Sequence, residues 1–290
     1  MKNDIFNDKN IYPNGEKIKE HFLGFYDSVF VAYLSFFQVD NHKSKTNNYK
    51  KLEKTTFKEA KKEIEILNNI KIPNAEIFSY SNEDYPTDLE IFDDGKVVKW
   101  ETIIKGAKLK DKTELNKALR TSIGALREIF KKPELSEKLN SFTTQNSIWN
   151  PTEGTFDVFS KLGIYRTFKL FNKNEIIIID EFFEKINSIN IAEITEYEFL
   201  EKVDFNDYYI YSSDKEILFT IEWDSFFFLI ATDKNKMEQI VAAKYFEGFL
   251  CDSETTHEWD YLPEELEKLL EIEKNQNLKS DNQKWWKFWK

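Results

Sequence analysis

The chain reads as an α+β protein, a mainly antiparallel sheet with helices packed on one face. Three observations predict this. Runs rich in aromatic and β-branched residues recur between residues 175 and 250, most of them joined by short turns, which favours antiparallel pairing. Two stretches, 56–67 and 112–130, instead carry apolar residues at helical spacing. The composition, 41% hydrophobic and 32% charged, is globular, and 26 phenylalanines in 290 residues predict an aromatic-rich core.

In chain order, Phe25 to Val39 suits strands, and 40–51 is a polar loop without periodicity. Thr56 and Glu59 have capping-box spacing ahead of Phe57, Ala60, Ile64 and Leu67, so a helix is expected there, closed by Asn68-Asn69 and Pro73. Residues 73–95 look irregular and contain the turn Asp93-Asp94-Gly95. Asp111 and Glu114 then open the clearest helix. Its apolar stripe runs Leu115, Ala118, Leu119, Ile123, Leu126, Ile129 and Phe130, until Pro133 stops it and a short helix follows to Leu139. The stripe is too apolar to stay exposed and is expected to face the sheet of the second half.

From Leu162 to Phe171 the pattern alternates and predicts a strand. Ile176-Ile177-Ile178-Ile179 suits a strand buried on both faces. A helix is expected over 195–202, then strands at 208–211 and 217–223, with Asp224-Ser225 turning tightly into Phe226 to Ile230. Asp233 should cap a helix through Ala243 with Met237, Ile240 and Val241 inward. Phe246 to Leu250 reads as the last strand, and Pro263 opens a final helix carrying Leu266, Leu269 and Leu270. The polar stretch 140–155 is the candidate boundary. Residues 1–150 are expected to form a mixed, helix-rich half and 151–274 an α+β half packed with it as one unit, with 275–290 a polar linker and a Trp/Lys tail.

The single cysteine, Cys251, allows no internal disulfide, and the polar start Met1-Lys2-Asn3-Asp4 carries no apolar signal core, so a cytoplasmic protein is expected. Phe22 to Phe37 is too short for a membrane span and contains Asp27. A net charge of −11 argues against nucleic acid and suits a protein partner with a basic surface. The eight glycines form no G-x-G, and no H-E-x-x-H, C-x-x-C or G-x-S-x-G occurs, so neither a cofactor nor a catalytic motif is indicated.

Two further segments are distinctive: Thr121-Ser122-Ile123-Gly124-Ala125-Leu126-Arg127, and Phe246-Glu247-Gly248-Phe249 followed by Cys251-Asp252, Thr256-His257 and Trp259. Together with Trp223-Asp224-Ser225 they resemble an uncharacterised bacterial family, domain of unknown function 2711, over roughly residues 85–260. The resemblance implies a bacterial cytosolic protein and no activity.

The candidate site residues are few. Only Arg120, Arg127 and Arg166 are arginines among 41 basic residues, and a retained Arg marks a place where a planar fork is useful. Arg120 and Arg127, seven apart, would share a helix face about 10 Å apart. Arg166 would fall on the apolar side of its strand and need a carboxylate there. A structural ion pair and a partner- or anion-binding role both fit these arginines. Glu222 and Asp224 would project to one face beside Trp223. That could support acid–base chemistry, or simply a solvated turn. His257 and Trp259 sit close to Cys251, Asp252 and Glu254, but the spacing matches no metal motif, so surface or structural roles stand beside partner binding.

The leading reading is a non-enzymatic protein-binding protein, with an immunity-type protein that neutralises a toxin as its finer form. Its rivals are an enzyme using the carboxylates near Glu222 and Asp224, and a peripheral membrane protein anchored by the tail. Membrane attachment is disfavoured, because the acidic body would be repelled by anionic lipid. In the tail, Trp285, Trp286, Phe288 and Trp289 alternate with lysines and form a small adhesive patch. Deleting 284–290 is expected to leave the melting temperature unchanged and to reduce association, read by light scattering. A large thermal loss would show that the tail belongs to the core.

Overall fold

The computed structural model describes residues 5–6, 9–13, 15, 17–40, 85–272 and 274. The helix expected from Thr56 and the tail lie outside these residues. Helices within them are α1 (Ile18–His21), α2 (Asp88–Asp94), α3 (Trp100–Gly106), α4 (Lys112–Ser122), α5 (Pro133–Gln145), α6 (Val158–Leu170), α7 (Glu196–Lys202) and α8 (Lys234–Ala243), with a further helical stretch at 263–272. Strands are β1 (Ser28–Tyr33), β2 (Phe36–Val39), β3 (Gly95–Val98), β4 (Glu175–Asp180), β5 (Ile186–Asn190), β6 (Asp207–Ser212), β7 (Leu218–Ile221), β8 (Phe227–Thr232) and β9 (Gly248–Leu250).

The main sheet has seven strands in the order β5-β4-β6-β7-β8-β1-β9, and every neighbouring pair is antiparallel. β2 and β3 form a separate antiparallel ribbon. The fold is therefore α+β. β1 lies between two strands from the other end of the chain, pairing Ser28 with Thr232 on one side and Phe30 with Leu250 on the other. Residues opposite one another in an antiparallel pair share a face. Phe219, opposite Ile230, packs edge-on against Phe168 of α6, and Phe228 packs against Phe156 and Phe246, so α6 covers that face. Gly163 permits the approach, because a methyl group there would strike the Phe246 ring. Tyr33 and Phe227 point the other way and meet the loop carrying His257 and Trp259.

Several expectations need correction. Residues 162–171 are helical, within α6. The apolar positions Val158, Leu162, Tyr165 and Phe168 satisfy the helical spacing as well as alternation does, and Asp157 decides between them by accepting from the Ser160 N–H at 2.7 Å as N-cap. Residues 88–94 form α2 rather than an irregular stretch. Thr87 and Glu90 make a reciprocal capping box, and the helix runs directly into β3 at Gly95 with no separate turn. The clearest predicted helix stops at Ser122, because Gly124 takes a left-handed φ of +77°. Arg127 thus leaves the helix that carries Arg120, and α4 packs chiefly on α5, which runs to Gln145 rather than Leu139, instead of lying on the sheet. Val241 of α8 is exposed, while Met237 and Ile240 are buried as expected.

Beyond Gly124 the chain builds a satellite cluster. Leu126, Phe130 and Tyr261 are buried together against Ile129, Leu266 and Leu269, with the Phe130 and Tyr261 rings edge to face at 5.5 Å. Replacing Leu126 with Ala removes about three buried carbons from this small cluster and is expected to cost about 2–3 kcal/mol. Urea melts showing less than about 1 kcal/mol would place Leu126 outside the packing that holds the 261–269 segment.

Candidate functional site

The residues with the most perturbed chemistry collect where α4 meets the segment that returns after β9. Asp111 caps α4 by accepting from the Thr113 and Glu114 backbone N–H groups. One helical turn further, Asn116 donates to Asp260 at 3.0 Å, and Arg120 grips Glu258 through two bonds of 2.5 and 3.2 Å, with Asp260 at 3.5 Å. Burial alone would lower the Arg120 pKa. The Glu258 bond and the charges of Asp260 and Glu258 outweigh it and hold the guanidinium above its ordinary value. Burial raises Asp260 to about 6 despite Arg120 beside it, whereas Glu258, also penalised by burial, is held below the ordinary range by its direct bond to Arg120. Lys117 extends the network to Glu265 at 2.9 Å and lies 4.1 Å from the centre of the Tyr261 ring.

Next to this network, at the β7–β8 turn, Glu222 lies 3.2 Å from His257 Nδ1, and the Tyr12 hydroxyl lies 2.8 Å from the same nitrogen. Burial and then the charge of Glu258 push Glu222 up to about 7, while burial pushes His257 down to about 4. Near neutral pH the imidazole is uncharged, its tautomer sets the direction of the Tyr12 bond, and Glu222 is poised between its two protonation states.

A cavity of about 280 Å³ opens on the other side of the turn. Tyr85, Trp149 and Phe226 give it aromatic walls, Leu119 and Ile123 line it from the α4 end, and Glu153 is its one acidic residue among the described residues. The 149–154 loop is tied to the turn by Gly154 N–H donating to Ser225 O at 2.9 Å. Gly154 has a φ of +63°, and a methyl group there would crowd the backbone of Trp223, so the close approach requires glycine. The Trp149 indole N–H is buried without a hydrogen-bond partner among the described residues. Glu153 has no ion-pair partner among the described residues, and its pKa is raised by burial and by the charge of Asp224.

The sequence-predicted residues are therefore split. Arg120, Trp223, Asp224, His257 and Trp259 come together around this turn. Trp223 is 60% exposed on the rim, and Trp259 packs inside against Tyr33, Phe227 and Phe249. Arg127 is exposed at the satellite cluster, with its guanidinium over the Phe130 ring. Arg166 is on α6, not a strand. It does bind a carboxylate of the second half, Glu196 at the start of α7, through two bonds of 2.8 Å, but at the surface rather than on a buried face, where such a pair contributes about 0–1 kcal/mol. Glu222 and Asp224 diverge: Glu222 turns to His257, while Asp224 takes the left-handed turn conformation at φ +58°. Cys251 is buried, with burial and the Asp252 charge raising its pKa to about 12. Among the described residues no three His, Cys, Asp or Glu side chains converge as metal ligands. Sequence reasoning passed over Tyr12, Trp149, Glu153, Glu258 and Asp260. Glu258 and Asp260 alternate around Trp259, a visible signal, whereas Tyr12 and Trp149 reach the site only through the tertiary fold.

Residues 14–261 match the family described as protein of unknown function (DUF2711). The chain belongs to this family. The match takes in residues 14–84 as well, more than the resemblance of 85–260 suggested. A relative within known proteins is the uncharacterized protein YwbB of Bacillus subtilis (strain 168), 26% identical over 176 residues, which cover 60% of this chain and 77% of that protein. No solved structure matches.

The two shifted groups at the turn give opposite pH signatures. Glu222 is raised from 4.5 to about 7, so the folded state holds its proton longer, and its contribution to stability falls as pH rises from about 4.5 to about 7. His257 is lowered from 6.5 to about 4, so its contribution falls as pH drops through that interval. Glu222→Gln is therefore expected to gain stability relative to wild type on raising the pH across its window, and His257→Gln on lowering it across the other. Parallel stability–pH curves for wild type and both variants would contradict the burial assigned to these groups.

Proposed function

We propose that this family member is a non-enzymatic binding protein that accepts a cationic side chain of a basic protein partner in the cavity between Trp149, Tyr85 and Phe226. One observation carries the reading: three aromatic walls surround a half-buried carboxyl, Glu153, that has no counter-charge among the described residues. Burial holds the Glu153 pKa up, and an incoming ammonium or guanidinium supplies the missing charge while its flat or alkyl parts pack on the rings. Exposed Trp223 and half-buried Asp224, on the turn tied to the 149–154 loop, extend the same chemistry outward, and a buried aromatic anchor ringed by acidic groups is the pattern of an interface hot spot. The net charge of −11 would speed association with a basic partner. The finer form of the reading is an immunity-type protein acting in the cytoplasm on a toxin of basic surface, and a toxin gene directly upstream would support it.

A second reading has its own observation. Glu222 at about 7, in contact with a neutral His257 that Tyr12 also touches, is a proton-exchanging pair of the kind used in acid–base catalysis. No helix among the described residues is long and apolar enough to cross a bilayer.

Tryptophan fluorescence during titration with arginine amide, lysine amide and neutral norleucine amide tests the binding reading. The two cations are expected to change the signal and the neutral amide is not, and Glu153→Gln should weaken the response at least about tenfold, the equivalent of about 1.4 kcal/mol. An equal response to the neutral amide, or full binding by Glu153→Gln, overturns it. An activity lost in Glu222→Gln while cation binding persists would establish the catalytic reading instead.

A further inference from the structure

A second cavity, of about 570 Å³, lies between α2, α6 and α7, and the cation-binding reading makes no use of it. Its walls include Phe37, Ile91, Phe159 and Leu200. Near its floor is Lys161 of α6, a lysine only 7% exposed. Lysines are among the residues least often buried, and a buried one ordinarily donates to carboxylates at close range. Lys161 does not. Its one ion-pair partner among the described residues is Asp88, and the separation is 3.9 Å, too long for a hydrogen bond.

The other acidic groups around it are committed elsewhere. Asp157, the N-cap of the same helix, accepts from the Ser35 and Ser160 N–H groups, both at 2.7 Å. Asp204 pairs with Lys185, and Asp207 accepts from the Asp204 N–H at 2.7 Å. Glu201 of α7 also lines the cavity, and its charge adds to the acidic surroundings. Burial lowers the Lys161 pKa, with Asp88 the chief opposing charge and Asp157, Asp207 and Asp204 behind it. So many carboxylates exclude an anionic ligand. What the cavity offers is an amine with unused valence, apolar walls, and a carboxylate nearby to receive a proton.

We propose that Lys161 is an imine-forming amine and that this cavity takes a small uncharged aldehyde or ketone with an aromatic or aliphatic body. The ammonium releases a proton, for which Asp88 is the nearest acceptor. The free Nζ pair attacks the carbonyl carbon, forming the C–N bond as the C=O π pair moves onto oxygen, and a proton passes from the nitrogen to that oxygen to give a hydroxyl. The proton held by Asp88 then passes to the hydroxyl, the C–O bond breaks and water leaves as the nitrogen pair forms C=N, and the remaining N–H proton is released to solvent. The step is a condensation, neither oxidising nor reducing, and it needs no further reactant. Burial favours it twice, by keeping a fraction of the amine unprotonated and by slowing return of water to the imine.

The probe is benzaldehyde with sodium cyanoborohydride, which traps each imine as a stable benzylamine, and the adducts are located by peptide mass spectrometry on the folded wild-type chain. Lys161 is expected to be modified several-fold faster than exposed Lys96 and Lys185. Lys161→Arg should lose that adduct and keep the wild-type melting curve. Asp88→Asn removes the main charge that keeps Lys161 protonated, so it should move the pH midpoint of Lys161 labelling downward. A lysine buried only as packing would not be labelled ahead of the exposed lysines. Modification of Lys161 at or below the rate of the exposed lysines, or an Asp88→Asn profile that coincides with wild type, overturns the proposal. Neither result bears on cation binding at Glu153, whose test uses a different cavity wall and a different readout.

Discussion

The insertion of β1 between β8 and β9 is the constraint on which the rest of the structure depends. A strand bonded on both edges carries Ser28–Tyr33 inside the sheet, one place in from its β9 edge, and its side chains feed both faces: Phe30 lies opposite Ile230, and Tyr33 opposite Phe227. The chain leaving β1 is fixed in turn. Trp100 at the start of α3 stacks on Tyr33 at 4.0 Å and donates its indole N–H to Leu34 O at 2.9 Å, and its backbone N–H is held by Glu247 just ahead of β9. The short α3 then delivers the chain to α4, and so the position of Arg120 beside Glu258 follows from the placement of six residues far earlier in sequence.

The buried polar network at α4 is better understood as a fastener than as a store of stability. Desolvating Arg120, Glu258 and Asp260 offsets most of the attraction among them, and well-packed apolar residues of the same volume could stabilise as much. What the network supplies is uniqueness of placement, because a guanidinium fork meets a carboxylate in one register. The 257–261 segment is consequently pinned over Phe227, and His257 is presented to Glu222 and Tyr12. The same pinning leaves Glu222 half-buried near the charge of Glu258, which is why its carboxyl is raised. The unusual electrostatics of the turn are a by-product of how the return segment is held.

Much of the fold can be read from local chemistry. The hairpin at Asp224-Ser225, the α8 cap at Asp233 and the four-isoleucine strand all rest on short-range preferences that tertiary packing leaves intact. The errors fall where two local patterns compete. Leu162, Ile164, Phe168 and Leu170 alternate, yet Val158, Leu162, Tyr165 and Phe168 also fall on one helical stripe, and only the Asp157 cap separates the two. The stripe through Leu126 and Phe130 continued on paper past Gly124, whose backbone freedom ends the helix. The site was legible in part for the same reason. Trp223, Asp224, His257 and Trp259 stand out locally, but Tyr12, Trp149 and Lys161 look ordinary until the sheet brings distant segments together.

The doubly bonded β1 strand also has a temporal side. Ser28 finds Thr232 only about two hundred residues later, and at roughly 5–20 residues per second of synthesis the segment waits about ten to forty seconds for its first strand neighbour. Throughout that interval Val29-Phe30-Val31-Ala32-Tyr33-Leu34 is an uncharged apolar ribbon with both edges open. A chain stalled or cleaved before β8 would keep that ribbon permanently unpaired. Such fragments would be suited to self-association and would be natural clients for chaperones, even though the finished protein conceals the segment completely between its neighbours.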